Sequence, residues 1–265
     1  MSATANPSAQ RLPARILLPR EHGAYGQLLF PIATALAIGD HGATGFAIAG
    51  ACAAAFVGHE AVLTLLGQRG GRAARQRRRD AIFSLACCAA LAAASAAWAL
   101  AHMMPASRVS LVLPATLAVA LLPFIWSRRE HTTAGEILAA LSLSSCGVPI
   151  ARAGGVGLSR ALICWLVFAL SFTVATLAVR STIARLKNTH SAGSGVAFWL
   201  AAASVALSLA GASRGWIPPA APLALLPVCG LAVGLSLFPP HPRHLRAVGW
   251  SLVTATAVTA IVLAV

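Results

Sequence analysis

ATGFAIAGACAAAFVGHEAVLTLLGQRGGRAARQRRRDAIFSLACCAALAAASAAWALAH, residues Ala43–His102, sets two apolar runs on either side of a loop with arginine at 69, 72, 75, 77, 78 and 79. At 1.5 Å per helical residue, each run is long enough to cross a hydrocarbon core about 30 Å thick. Ala, Leu and Val fill the runs without the alternation of a barrel strand, so they read as helices. The rest of the chain follows the same design. Of its 265 residues, 58% are hydrophobic and 10% charged, and the mean hydropathy is +0.79. A soluble domain dresses its surface with roughly 25% charged residues. The expected fold is therefore an all-α, polytopic membrane helix bundle.

Nine apolar runs are candidate spans: 19–39, 43–67, 81–102, 109–126, 134–151, 158–179, 195–212, 220–238 and 245–264. With the N-terminus in the cytoplasm, 16 of the 20 Lys and Arg residues fall on the cytoplasmic side. The other side keeps Arg108, Arg152, Arg160 and Arg214. That segregation predicts an N-in, C-out chain. Residues 1–15 read as a disordered tail without a signal peptide, and 16–265 as one transmembrane domain.

The excess of 20 basic over 6 acidic residues belongs to loops lying on anionic lipid, not to a nucleic-acid reader. Six cysteines, at 52, 87, 88, 146, 164 and 229, lie in apolar stretches without a C-x-x-C pair. They read as small buried residues rather than metal ligands, and no cofactor motif appears.

Charged groups at membrane depth call for a partner or a function. Five acids, Glu21, Glu60, Asp80, Glu130 and Glu136, lie towards the cytoplasmic side, and Asp40 lies opposite. His59 and Glu60 sit about eight residues before the basic loop. They read either as a helix-packing pair or as a buried acid–base pair lining a cavity. Arg20, Glu21 and His22 stand at the mouth of the first span. If Pro19 opens that helix, Glu21 also suits its first turn.

Arg69 and Arg72, with Gly70 and Gly71 between them, suit either topology or a phosphate clamp. Thr133-x-x-Glu136 has the form of a capping box, and Asp80 of an N-cap. Glu136, Ala140, Ser144 and Gly147 share one small, polar helix face.

"PREHGAYGQLLFP" (19–31), "GHEAVLTLLGQRGGRAARQ" (58–76) and "TAGEILAALSLS" (133–144), in that order, resemble the YwiC-like family of bacterial integral membrane proteins. The resemblance implies a shared membrane architecture and places Pro19, Glu21, His22, Gly23, His59, Glu60, Gly67, Arg69, Gly70 and Glu136 at motif positions. It assigns no reaction. The nine-span topology is also similar to the UbiA prenyltransferase fold, which binds isoprenoid diphosphates through Mg²⁺ held by Asp-rich motifs. Those motifs are absent: the matching places read "GHEAVLTLLGQRGGR" and "AVRSTIARLKNTH".

The functional expectation is a cytoplasm-facing pocket for an isoprenoid or other anionic membrane lipid. Glu21, His22, His59 and Glu60 would act on or orient the ligand. Arg20, Arg69, Arg72, Glu136 and Ser144 would bind it. If a reaction follows, it would be a UbiA-like transfer without the usual metal motifs. A transporter for a small anion or metabolite is the alternative, favoured by Gly/Pro-interrupted spans. A third reading makes His22 and His59 haem ligands.

Overall fold

The structure is a computed structural model that describes residues 14–186, 193–238 and 240–265. Most of the expected tail (1–15) and Lys187 of the charge count lie outside the described residues. Among those described there are helices and turns and no strand.

The helices are α1 (His22–Ile38), α2 (Ala43–Leu65), α3 (Gly71–Gln76), α4 (Arg78–His102), α5 (Pro105–Arg108), α6 (Val112–Trp126), α7 (Thr133–Ser145), α8 (Gly147–Ala153), α9 (Leu158–Leu186), α10 (Gly193–Ser213), α11 (Ala220–Leu237) and α12 (Leu245–Ala264). A short 3₁₀ turn joins α5 to α6, making one apolar span of Pro105–Trp126, and α7 with α8 makes another of Thr133–Ala153. Eight of the nine expected spans are long and apolar enough to cross a membrane.

The first is shorter. α1 has 17 residues, about 26 Å of helix against a core of about 30 Å. Pro19 does not open it. The chain before it runs extended and is tied to α4: Arg15 N–H donates to Asp80 Oδ1 (3.4 Å) and Leu17 N–H to Ser84 Oγ (3.2 Å). Glu21 becomes the N-cap residue and makes no side-chain capping bond. Asp80 is likewise inside the first turn of α4, with Arg77 at the N-cap, and its carboxylate receives this strap.

Packing falls into two large cores joined through α1, and a small cluster of Leu17, Ala61 and Ala81 under the strap. One gathers buried Val and Ala from α9 to α12 around Phe168, Phe172 and Leu225. The other gathers Leu28, Ile32, Ile48, Val148 and Ile150 from α1, α2 and α8. Small residues let helices approach closely where apolar burial gives no advantage over lipid. A Cβ on Gly58 of α2 would stand 3.1 Å from Cys88 Cβ of α4, and one on Gly147 would stand 3.0 Å from the Pro31 carbonyl of α1. The outer surface keeps large apolar side chains such as Leu91, Val119, Leu207 and Ile261 exposed. In water that would promote aggregation; in a bilayer it is the expected lipid face, so the protein is a multi-pass membrane protein.

The two ends of the bundle differ. Arg69–Arg79, Arg128, Arg129, Arg180, Arg185, Arg243 and Arg246 gather at the end where α1 starts and α2, α6, α9 and α11 finish. Cross-links hold that basic end together: Gln68 Nε2 donates to the Ile125 carbonyl (2.6 Å) and an Arg185 N–H to the Ser236 carbonyl (2.8 Å). At the opposite end Asp40 N–H donates to the Gly154 carbonyl (2.9 Å), and a Cβ on Gly39 would stand 3.1 Å from Gly154 Cα. There is room at that contact for glycine only.

Candidate functional site

The site begins where α2 stops. Gly67 lies in the left-handed region (φ +72°), Gly67 N–H donates to the Thr64 carbonyl and Gln68 N–H to the Leu63 carbonyl. That is a Schellman ending, which glycine adopts without a Cβ penalty. Gly70 (φ +98°) turns the chain again into α3. The reversal sends Arg69 back along α2 to Glu60, one turn and a half below the helix end.

Arg69 Nε donates to Glu60 Oε1 (3.0 Å) and a terminal nitrogen to Glu60 Oε2 (2.6 Å), the fork geometry of a bidentate pair. Glu60 is 5% exposed and Arg69 18%. Glu21, half exposed, adds a third member at 3.5 Å from the same guanidinium. The Glu60 bonds, ahead of the opposing desolvation, raise the Arg69 pKa above its ordinary value. Arg69 is thus neutralised by two carboxylates. Arg72 is exposed on α3, and Arg20 is exposed beside Arg15 and Arg77 under the strap.

Next to this triad a cavity of about 540 Å³ opens between α1, α2, α6, α7 and α9. That is the size of small-ligand sites. Its two ends are chemically distinct. Glu21, His59, Glu130, His131 and Glu136 ring the basic end; Leu28, Phe56, Ala118, Leu121 and Leu143 line the depth. Phe56 is braced by Tyr25 in an edge-to-face contact (5.1 Å), and the Tyr25 hydroxyl donates to the Pro19 carbonyl (3.1 Å), tying the wall to the strap.

Two buried polar atoms of the rim have no partner: His59 Nε2 and Glu130 Oε2. Such atoms are costly unless something bonds them. The other Glu130 oxygen stands 3.5 Å from His131 Nε2. Glu136 is occupied, since Arg180 Nε donates to its Oε2 (2.7 Å) and the other guanidinium arm reaches Oε1 (2.7 Å).

Several expected residues take other places. Glu136 does not complete a capping box: Thr132 is the N-cap, its Oγ1 accepts from Gly135 N–H (3.2 Å), and Glu136 faces Arg180. Glycine is required at 135 because a Cβ would meet the Arg129 carbonyl at 2.5 Å. Ser144 is fully buried, donates to the Ala140 carbonyl (2.7 Å), and lies on the far face of α7 near Pro31 and Trp165. The cavity face of that helix carries Ser142 and Cys146 instead. His22 opens α1, but its side chain lies outside the described residues. Glu21, His59 and Glu60 are brought together as expected, with Glu60 turned to Arg69 and His59 to the cavity.

The residues that sequence reasoning did not place in the site are Glu130, His131 and Arg180. A signal for the first two exists. The tripeptide Arg-Glu-His occurs at 20–22 and again at 129–131, in each case where a helix that rises from the basic end is about to start or starts. Those helices, α1 and α7, pack together and bring Glu21 of one copy and Glu130 and His131 of the other to one cavity. Among the described residues no three His, Cys, Asp or Glu side chains converge closely enough to hold a metal ion.

The sequence matches the family described as YwiC-like protein over residues 18–151, which covers α1 to α7, most of α8, and every carboxylate and histidine of the cavity rim. The chain belongs to that family. No curated protein and no solved structure matches it.

Proposed function

We propose that this YwiC-like protein binds an isoprenoid-type membrane lipid in the cavity between α1, α2, α6, α7 and α9, at the cytoplasmic face of the bacterial inner membrane. The observation that carries the reading is a cavity with apolar depth and two unpartnered polar atoms, His59 Nε2 and Glu130 Oε2, at one end. An ionised carboxylate only accepts, while a histidine nitrogen donates or accepts according to its tautomer. A hydroxyl satisfies both, donating to Glu130 and accepting from His59. The apolar depth takes the chain.

The charges favour an uncharged head group over a phosphate. Glu21, Glu130 and Glu136 ring the mouth, and the two arginines bonded to rim carboxylates are already held, Arg180 by Glu136 and Arg69 by Glu60 and Glu21. Burying a phosphate there would set it against carboxylates without a free counter-charge. The titratable groups of the cavity lie at its basic end and its depth is apolar, which supports binding over passage of a soluble metabolite.

The test is mass spectrometry of the small molecules that co-purify with the detergent-extracted protein, wild type against His59→Ala and Glu130→Ala. A neutral prenyl lipid retained by the wild type and depleted in both variants is the expected result. The same lipids in equal amount in all three would overturn the reading.

A further inference from the structure

A second cavity, of about 630 Å³, lies on the other side of the start of α1, between α1, α9 and α12. It shares Gly23, Gln27, Glu136 and Thr176 with the first. Of these four, Gln27, Glu136 and Thr176 place side chains on the boundary and Gly23 places none, and a Cβ at Gly23 would meet nothing within 4 Å. The boundary is thinnest at Gly23. Beside that glycine stands the Glu136–Arg180 ion pair, with Glu136 facing both spaces and Arg180 the second.

The second cavity is built differently from the first. Its inner wall is buried, with Phe172 and Thr256 each 6% exposed. Its lip is exposed and apolar or small: Ile183 on α9, Gly249 and Val253 on α12. α12 packs on α1 and α11 and barely touches α9, which leaves a gap between α9 and α12 that begins at Ile183 and Gly249 near the basic end and reaches Val253, about two turns inside the apolar span of α12. A water-soluble ligand gains nothing from an entrance in that position. A lipid does, because it reaches the site without leaving the hydrocarbon phase.

We infer that the two cavities are one site for a long-chain lipid, which enters sideways between α9 and α12, passes Gly23, and leaves its distal chain in the second cavity while its head group reaches His59 and Glu130. The inference rests on the lipid-binding reading above and adds the ligand's length and its route. Gly23 serves it by absence of a side chain, and the Glu136–Arg180 pair forms the polar edge past which the head group turns.

The experiment measures binding of geraniol and geranylgeraniol, two prenyl alcohols that differ in chain length, to the purified protein by native mass spectrometry. Gly249 lines the second cavity and not the first, and a Cβ there meets nothing within 4 Å, so a side chain can start at that position and Gly249→Trp narrows the lip. Val253→Trp provides a second plug at an exposed lip position. The wild type is expected to hold geranylgeraniol about tenfold or more tightly than geraniol, because the extra chain is buried. Both plugs should remove that preference while leaving geraniol, which is short enough to enter the first cavity by its own rim at the basic end, bound within about twofold at equilibrium.

Unchanged geranylgeraniol preference in both plugged variants would overturn the portal and leave the first cavity's reading intact. Failure of the wild type to bind either alcohol would overturn both. Loss of geraniol binding in a plugged variant that elutes as wild type does would show that the cavities are not arranged as head and chain sites, and would also overturn the inference.

Discussion

Replacing Glu60 with Gln removes the charge from the most buried acid in the site while keeping its shape. The wild-type pair makes two charge-assisted bonds, at 3.0 and 2.6 Å, from a carboxylate 5% exposed to a guanidinium 18% exposed. Leaving one member of a buried ion pair without its partner costs about 3–5 kcal/mol, whereas an exposed pair is worth about 0–1 kcal/mol. Two features place this case between those limits. Arg69 retains some contact with water, and Glu21 remains 3.5 Å away as a second partner. The glutamine carbonyl also keeps one bond. The expected loss is about 2–3 kcal/mol, which for a chain of this size lowers the unfolding midpoint by roughly 5–10 °C.

The assay is thermal unfolding of the detergent-solubilised protein, with Glu21→Gln as the control. Glu21 is 51% exposed and reaches Arg69 only at 3.5 Å, so its loss should cost at most about 0.5 kcal/mol. Equal shifts for Glu60→Gln and Glu21→Gln would refute the argument that burial and bidentate geometry set the size of the effect. The pair also predicts a pH response. The folded-state pKa of Arg69 is raised by its bonds to Glu60, so the stability it contributes is complete below the ordinary arginine range. It fades only as pH climbs through the raised value. The gap between wild type and Glu60→Gln should therefore stay level from about pH 6 to about pH 10.

Three other substitutions test separate parts of the account. Gly154→Ala sets a Cβ 2.9 Å from the Asp40 backbone nitrogen and should destabilise by about 1–3 kcal/mol in a chemical denaturation series; a silent substitution would mean that the Gly39–Gly154 contact is looser than described. Arg128→Gly should act in the opposite direction, because Arg128 ends α6 with φ +57°, a conformation costing a non-glycine residue about 1 kcal/mol; the unfolding midpoint should rise. Ser84→Ala strips the acceptor from the buried Leu17 N–H and should cost about 1 kcal/mol, read as faster trypsin cleavage at Arg15 and Arg20; an unchanged cleavage rate would mean that the strap is held by other contacts.

The fold was legible because membrane spans declare themselves by length and composition, and the arginines mark one end of each. α12 begins and ends where the apolar run at 245–264 does. The boundaries that moved did so for reasons beyond local pattern. α1 starts at His22 rather than Pro19 because the residues before it bond to Asp80 and Ser84, 65 and 67 positions away. α9 continues to Leu186, past the expected end at 179, because Arg180 and Arg185 find acceptors on α7 and α11 and need not leave the helix.

The site was legible in its first half and obscure in its second. Glu21, His59 and Glu60 stand out as ionisable groups inside apolar runs. Glu130 and His131 sit in what reads as an ordinary polar turn, and only the packing of α6, α7 and α2 encloses them. The direction of a helical side chain is equally hidden: Ser142 and Ser144 look alike in sequence, yet one lines the cavity and the other bonds to its own helix. Arg69 shows the same limit for charge. A glycine-flanked arginine suits an incoming phosphate, but the Schellman turn that the glycines make points it at Glu60 instead.

The most direct test of the central claim is a cryo-EM map of the protein purified in lipid nanodiscs, examined at the cavity between α1, α2, α6, α7 and α9. The account predicts elongated density with its polar end within hydrogen-bond distance, about 3.2 Å or less, of both His59 Nε2 and the Glu130 carboxylate, and its body along Phe56 and Leu121. A cavity closed by direct contact between His59 and Glu130, with no density inside, would contradict it.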